Sequence, residues 1–165
     1  MERDDELQSK FAPPHDNTHT VGSLSCGRLP LVVGSYDAHK TALPLSYFSS
    51  AGPTRDGREK PDVSAPGHDV LAAKSRTGTG VVRKSGTSMA APAVAGLVAL
   101  VLAEARARSL NLTIAETRDI VTSAARRNPP HGMDWHDRYG VGRVSASAAV
   151  QAVIALAAAR DGGVP

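Results

Sequence analysis

The sequence predicts an α/β fold built on a mostly parallel sheet, and three observations carry the prediction. The run Leu29-Pro30-Leu31-Val32-Val33-Gly34-Ser35 is short, apolar and β-branched, which suits a strand buried on both faces. After Ser88 the positions Val94, Leu97, Val98, Val101 and Leu102 recur at helical spacing. The alanines between them extend the apolar surface almost around the cylinder, the mark of a buried helix. Two more segments, beginning near Thr113 and Ser147, carry one-sided apolar stripes of helical period.

The elements follow in order. Residues 1–19 hold mixed charges and Pro13-Pro14 without an apolar period, and they read as an irregular amino-terminal segment. The expected domain runs over 20–160, with 161–165 as a tail. In it the strand at 29–35 comes first, with Tyr36 and Asp37 leading outward. Residues 49–69 are crowded with Ser, Gly, Pro, Asp and Lys and read as a long ordered loop. Short strands follow at Val70–Ala73 and Val81–Lys84, with Thr77-Gly78-Thr79-Gly80 supplying a tight reversal. The buried helix starts at Ser88. Thr113-Ile114-Ala115-Glu116 has capping-box spacing and opens a second helix. A third is predicted over Ser147–Arg160, with Val150, Val153, Ile154 and Ala157 as its stripe and Gly162-Gly163 ending it.

Composition narrows the function. A chain of 165 residues, 41% hydrophobic and 21% charged, can bury one real core. Aromatics are only 4%, so the interior is expected to rest on aliphatic side chains and close backbone contacts. The formal charge is +3, but basic and acidic residues alternate instead of forming a block, which argues against nucleic acid as a partner. Cys26 is the single cysteine and reads as a small buried side chain. The opening Met1-Glu2-Arg3-Asp4-Asp5 is acidic where a signal peptide is basic and then apolar. The apolar run Ala90–Ala103 holds Pro92 and Gly96 and is shorter than the roughly 17–25 residues of a bilayer span.

Ser88 sits between a glycine-bearing turn, Ser85-Gly86-Thr87, and a helix opening Met89-Ala90-Ala91-Pro92. A serine there has unpaired backbone N–H groups beside it and the positive end of the helix dipole beneath it, where a developing oxyanion gains most. Pro92 is expected to fall in the tolerant first turn. A bland alternative is that Ser88 simply caps the helix, since Ser is a preferred cap.

The surrounding residues favour the chemical reading. Gly86-Thr87-Ser88-Met89-Ala90-Ala91-Pro92, followed by Val94-Ala95-Gly96, resembles the nucleophile motif of the subtilisin-like (S8) serine peptidases. Phe48-Ser49-Ser50-Ala51-Gly52-Pro53-Thr54 and Lys60-Pro61-Asp62-Val63-Ser64-Ala65-Pro66-Gly67 look like two further blocks of that family, in matching order. Tyr139-Gly140-Val141-Gly142-Arg143-Val144-Ser145-Ala146 is similar to its closing loop, and Thr20-Val21-Gly22-Ser23 leads into the first strand. The resemblance covers about Thr20 to Leu156.

That resemblance implies the carboxyl half of a three-layer subtilisin-like α/β fold. It implies Ser88 as nucleophile, the Ser88 backbone N–H and the Thr87 hydroxyl as oxyanion donors, and Gly22 at the substrate pocket. Protein or peptide is the implied substrate, and the missing amino-terminal half of the domain is an implied partner. Calcium enters by family resemblance only; the residues themselves suggest no metal or other cofactor. Family members are often secreted.

Departures are equally plain. Ala93 stands where many relatives carry a histidine outside the triad. The family's Asp and His blocks, which precede the serine, have no counterpart here, so the triad is expected to be incomplete. His19, in Asp16-Asn17-Thr18-His19-Thr20-Val21-Gly22, echoes the family's His-Gly-Thr-His stretch without its glycine and threonine. Asn17 lies too close to Thr20 to be the family's oxyanion asparagine. His15, His39, His68, His131 and His136 read as solvated loop residues. Two functions remain open: a serine endopeptidase present as a carboxyl-terminal part, and an inactive peptidase-derived domain that binds peptides or partner chains. In either case the first strand is expected to expose an apolar edge, making the isolated chain aggregation-prone or partly molten.

Overall fold

The computed structural model describes residues 12–14 and 16–161. The elements are β1 (Val33–Tyr36), β2 (Val63–Pro66), β3 (Val70–Ala73), β4 (Val81–Lys84), α1 (Thr87–Ala107), α2 (Ile114–Ser123) and α3 (Ala146–Asp161), with a 3₁₀ turn at Ser23–Cys26 ahead of them. His15 and the Gly162-Gly163 helix stop lie outside the described residues.

β1 and β2 pair in parallel, with Val33 opposite Val63 and Tyr36 opposite Pro66. The free edge of β2 takes a third ribbon: Ser64 N–H donates to Gly142 O (2.9 Å) and Val144 N–H donates to Ser64 O (2.9 Å). The closing loop is thereby built into the sheet. β3 and β4 form a separate antiparallel hairpin at the expected positions, with Val70 opposite Lys84.

α1 lies on β1 and β2, α3 packs on α1, and α2 packs against both helices. One continuous core results, from Val63 and Ala65 on β2, Ala90, Val94, Leu97, Val101 and Ala105 on α1, Ile120 and Val121 on α2, and Ala149 and Val153 on α3. No aromatic side chain enters this cluster, as the composition leads one to expect. Small residues let backbones approach closely instead.

Several expectations need correction. β1 begins at Val33, not Leu29, because Pro30 has no N–H to give a ladder and the carbonyls of Leu29 and Pro30 turn to Arg118 and Lys60. Tyr36 and Asp37 do not lead outward: both are buried. The stretch 49–69 contains β2, hidden in sequence by Pro61, Pro66 and Gly67 at its borders.

α1 is 21 residues long, and by length and composition it could cross a bilayer. Its packing on the strands and α3 makes it the core helix of an α/β unit. It is not buried all round, however. Ala90, Val94, Leu97, Val101 and Ala105 are covered, whereas Ala91, Pro92, Ala95, Gly96, Ala99 and Leu100 face solvent. The apolar surface is present on both faces, and among the described residues only one of them has a partner. Pro92 is the sixth helical residue, not a first-turn residue, so the Ser88 carbonyl loses the N–H it would otherwise accept from.

α2 is capped as predicted: Thr113 Oγ1 accepts from Glu116 N–H (3.2 Å) and Glu116 Oε2 accepts from Thr113 N–H (2.8 Å). α3 spans one residue more at each end than expected.

Candidate active site

The site is assembled from the end of β2 and the start of α1. Gly86 N–H donates to Gly67 O (2.8 Å), joining the turn before the helix to the Pro66-Gly67 turn after β2. A Cβ on Gly67 would lie 2.4 Å from Ser35 Oγ and 2.7 Å from Gly86 O, so only glycine permits that approach. Gly86 itself has φ 152° and ψ 157°, a conformation L residues rarely adopt. It is the N-cap without a side-chain cap bond, and Met89 N–H donates to its carbonyl (2.9 Å).

Thr87 and Ser88 therefore occupy the first two helical positions. Ser88 is exposed and is not the cap. Its backbone N–H is among the first-turn donors without an intrahelical acceptor, at the positive helix end. Among the described residues, no side chain hydrogen bonds the Ser88 hydroxyl.

Two hollows meet at Thr87. A cleft of about 260 Å³ is lined by Ser88, Thr87 and Ala91 from α1 and by Leu24, Ser25 and the Pro30–Val33 segment opposite. A smaller hollow of about 60 Å³ is lined by Thr87, Gly22, Val21, Gly34, Ser49, Ser50 and Pro61, sharing Ser25, Val32 and Val33 with the first. Gly22 and Thr87, named from sequence as pocket and oxyanion residues, are thus brought to adjoining space beside Ser88. Among the described residues, no titratable side chain lines the cleft.

The remaining candidates lie elsewhere. Asn17 lines a third hollow with Thr20, Tyr47, Phe48 and Arg138, not the Ser88 cleft. His19 is exposed, bonds Thr18 Oγ1 (2.8 Å) and does not line the cleft. His39 and His131 are exposed, as expected.

His68 and His136 are not solvated loop residues. The His68 ring stacks on Phe48 with centroids 6.0 Å apart, and its Nδ1 is buried without a partner. His136 Nδ1 faces Asp137 Oδ1 (2.9 Å) and accepts from Arg138 N–H (3.1 Å). Cys26 is half-buried, not buried, because the 3₁₀ turn holds it at the surface, with its Sγ 3.5 Å from Gly22 O. Among the described residues, no three His, Cys, Asp or Glu side chains converge in a way that could hold a metal ion.

Asp37 is the buried carboxylate nearest this end of the sheet. The His39 N–H bond (2.9 Å) holds its carboxyl below the ordinary range against the effect of burial, with His68 and Lys40 adding to the pull. Sequence reasoning also missed Lys60, Asp62 and Arg118, which form a buried network behind the Pro30–Val33 wall. Lys60-Pro61-Asp62 was visible as a block, but its link to Arg118, 56 residues on from Asp62, was not.

A serine presented at the amino terminus of a long core helix, after a Gly-Thr turn locked to the end of a parallel strand, is the arrangement expected of the serine-bearing part of a subtilisin-like fold. The chain belongs to the subtilase family, whose model matches residues 10–142. It is 30% identical over 154 residues to the serine protease AprX of Bacillus subtilis (strain 168), covering 81% of this chain and 32% of AprX. Its structure resembles the CspB protease of Clostridium perfringens, with a TM-score of 0.74 and 29% identity, over 83% of this chain and 29% of that one. It also resembles the PatG macrocyclase solved in complex with peptide, with a TM-score of 0.60 and 26% identity, over 74% of this chain and 35% of that one. The chain spans about a third of the length of AprX. The observed architecture is the corresponding partial α/β fold.

Proposed function

We propose that this chain is the serine-bearing part of an endopeptidase that cleaves protein or peptide substrates through an acyl-enzyme. Ser88 Oγ attacks the scissile carbonyl carbon while its proton passes to a base. Negative charge collects on the carbonyl oxygen, where the Ser88 N–H and the Thr87 hydroxyl are the donors at hand. The C–N bond then breaks, the amine leaves with the proton from the base, and water releases the acyl group. Loss of one oxyanion donor costs about 10²–10³-fold in rate.

The observation that carries this reading is the exposed Ser88 hydroxyl at the α1 amino terminus, opening on a cleft. The base and the carboxylate that orients it come from polypeptide that covers the solvent face of α1. Two features support that source: the apolar, uncovered face itself and the share of AprX that this chain spans.

The second reading, a domain that binds peptides without cleaving them, is favoured by the absence of a base among the described residues of the cleft lining. Fluorophosphonate labelling mapped by mass spectrometry separates the two. The peptidase reading expects adduct at Ser88 in preference to the other exposed serines, and none there in Ser88→Ala. Labelling spread evenly over surface serines even with imidazole added in place of the base would favour the binding domain.

A further inference from the structure

The segment entering β1 is held from behind in an unusual way. Pro30 cannot donate a backbone bond, and Leu29–Leu31 precede the ladder, which begins where the Val32 carbonyl accepts from Asp62 N–H (2.8 Å) and Val63 N–H (3.3 Å). The carbonyls of Leu29 and Pro30 instead meet two cations. Arg118 Nη1 donates to Leu29 O (2.6 Å) and Pro30 O (2.9 Å), and Lys60 Nζ donates to Pro30 O (3.0 Å). Both cations share one carboxylate: Lys60 Nζ lies 2.7 Å from Asp62 Oδ2 and Arg118 Nη2 lies 2.7 Å from Asp62 Oδ1. Asp62 Oδ2 also accepts from Val32 N–H (2.7 Å), completing the clamp.

The Lys60 and Asp62 side chains are only 4% and 8% exposed. Burying such a pair is a poor route to stability, since apolar residues of similar volume commonly do as well. What it achieves is geometry. A planar guanidinium holds two carbonyls and a carboxylate in one fixed fork, whereas an ammonium is a rotatable point charge and an apolar side chain has no donor. The clamped residues Pro30 and Val32 form the wall of the cleft that faces Ser88 and Ala91. Arg118, on α2, does not line that cleft.

We propose that Arg118 and Lys60, acting through Asp62, are positioning residues that fix the Leu29–Val33 wall and so set the size of the apolar substrate group admitted beside Ser88. The size-selecting role rests on the peptidase reading; the clamping of the wall does not. The cleft's lining of Leu24, Pro30, Leu31, Val32 and Ala91 suits an uncharged, apolar side chain.

The test compares the unaltered chain with Arg118→Met, which keeps an apolar stem, and Arg118→Lys, which keeps the charge. Two readouts are taken: amide exchange at Val32, and Ser88 labelling by a small alkyl and a bulky aromatic fluorophosphonate. Arg118→Met is expected to speed Val32 exchange about tenfold while Leu97 and Val101 in α1 change less than about twofold. It is also expected to shift the ratio of the two labelling rates, with Arg118→Lys recovering part of both effects. Unchanged Val32 exchange would overturn the clamp, as would an equal rise in α1, which marks general loosening. Altered Val32 exchange with a constant labelling ratio would overturn size selection. Labelling is run with added imidazole in place of the base; if neither probe is then taken up at Ser88, the peptidase reading fails and takes size selection with it, while Val32 exchange still decides the clamp.

Discussion

The two faces of α1 are both apolar and have opposite fates. One face, Ala90, Val94, Leu97, Val101 and Ala105, is at most 3% exposed and anchors the core. The other, running through Ala91, Ala95, Ala99 and Leu100, faces solvent, and Leu100 is 54% exposed. Apolar content on a helix records how many neighbours the helix is made for, and the fold around it records how many it has found. Ser88 stands at the junction, anchored by the covered face and opening toward the uncovered one.

The comparison breaks most readily at Leu97. Leu97→Ala should remove about 2–5 kcal/mol of stability, because Leu97 is buried within the core cluster and its loss leaves a cavity there. Denaturant unfolding followed by far-UV circular dichroism reads the loss. Next comes Gly86→Ala, which forces a side chain into a glycine-only conformation and should cost about 1–3 kcal/mol. It should also displace the first turn of α1 and slow Ser88 labelling; unchanged labelling would separate the turn from the site.

Thr113→Ala removes the α2 cap and should cost about 1 kcal/mol in the same unfolding assay. On the uncovered face, Leu100→Lys should alter stability by less than about 0.5 kcal/mol while reducing self-association in sedimentation velocity. If Leu100→Lys destabilised the chain as much as Leu97→Ala does, the two faces would not differ as described.

Acid touches α2 and the 54–58 loop before the core. The Thr113 N–H and hydroxyl, with Arg160, hold the Glu116 carboxyl below its ordinary 4.5. The Arg58 guanidinium and the Thr54 hydroxyl bring Asp56 down to about 2 from 3.8. Both carboxyls are depressed in the folded state, so their contribution is present above the ordinary values and fades as the pH falls through the lowered ones. Stability should therefore decline from about pH 4.5 toward pH 2. Glu116→Gln should flatten the upper part of that decline.

Much of this was legible in sequence, for identifiable reasons. The β3–β4 hairpin and the Thr113 capping box are local devices, written in adjacent residues, and both are found where expected. The Ser88 motif was legible because its turn, helix start and apolar period lie in one stretch. β2 was not, since Pro61, Pro66 and Gly67 carry loop signals while parallel pairing to β1 depends on residues 30 positions away. The burial of His68 against Phe48 and the grip of Arg118 on Leu29 likewise depend on distant partners, which no local pattern reveals. The one-sided exposure of α1 was misjudged because periodicity reports what a helix could bury, not what surrounds it.

The central claim is that Ser88 is a nucleophile whose base lies outside its own cleft. Added imidazole can stand in for that base, so the decisive measurement is the rate of Ser88 fluorophosphonate labelling against imidazole concentration near neutral pH. The account predicts a rate that rises with neutral imidazole and an adduct absent from Ser88→Ala. A rate indifferent to imidazole and no greater than that of the other exposed serines would contradict it.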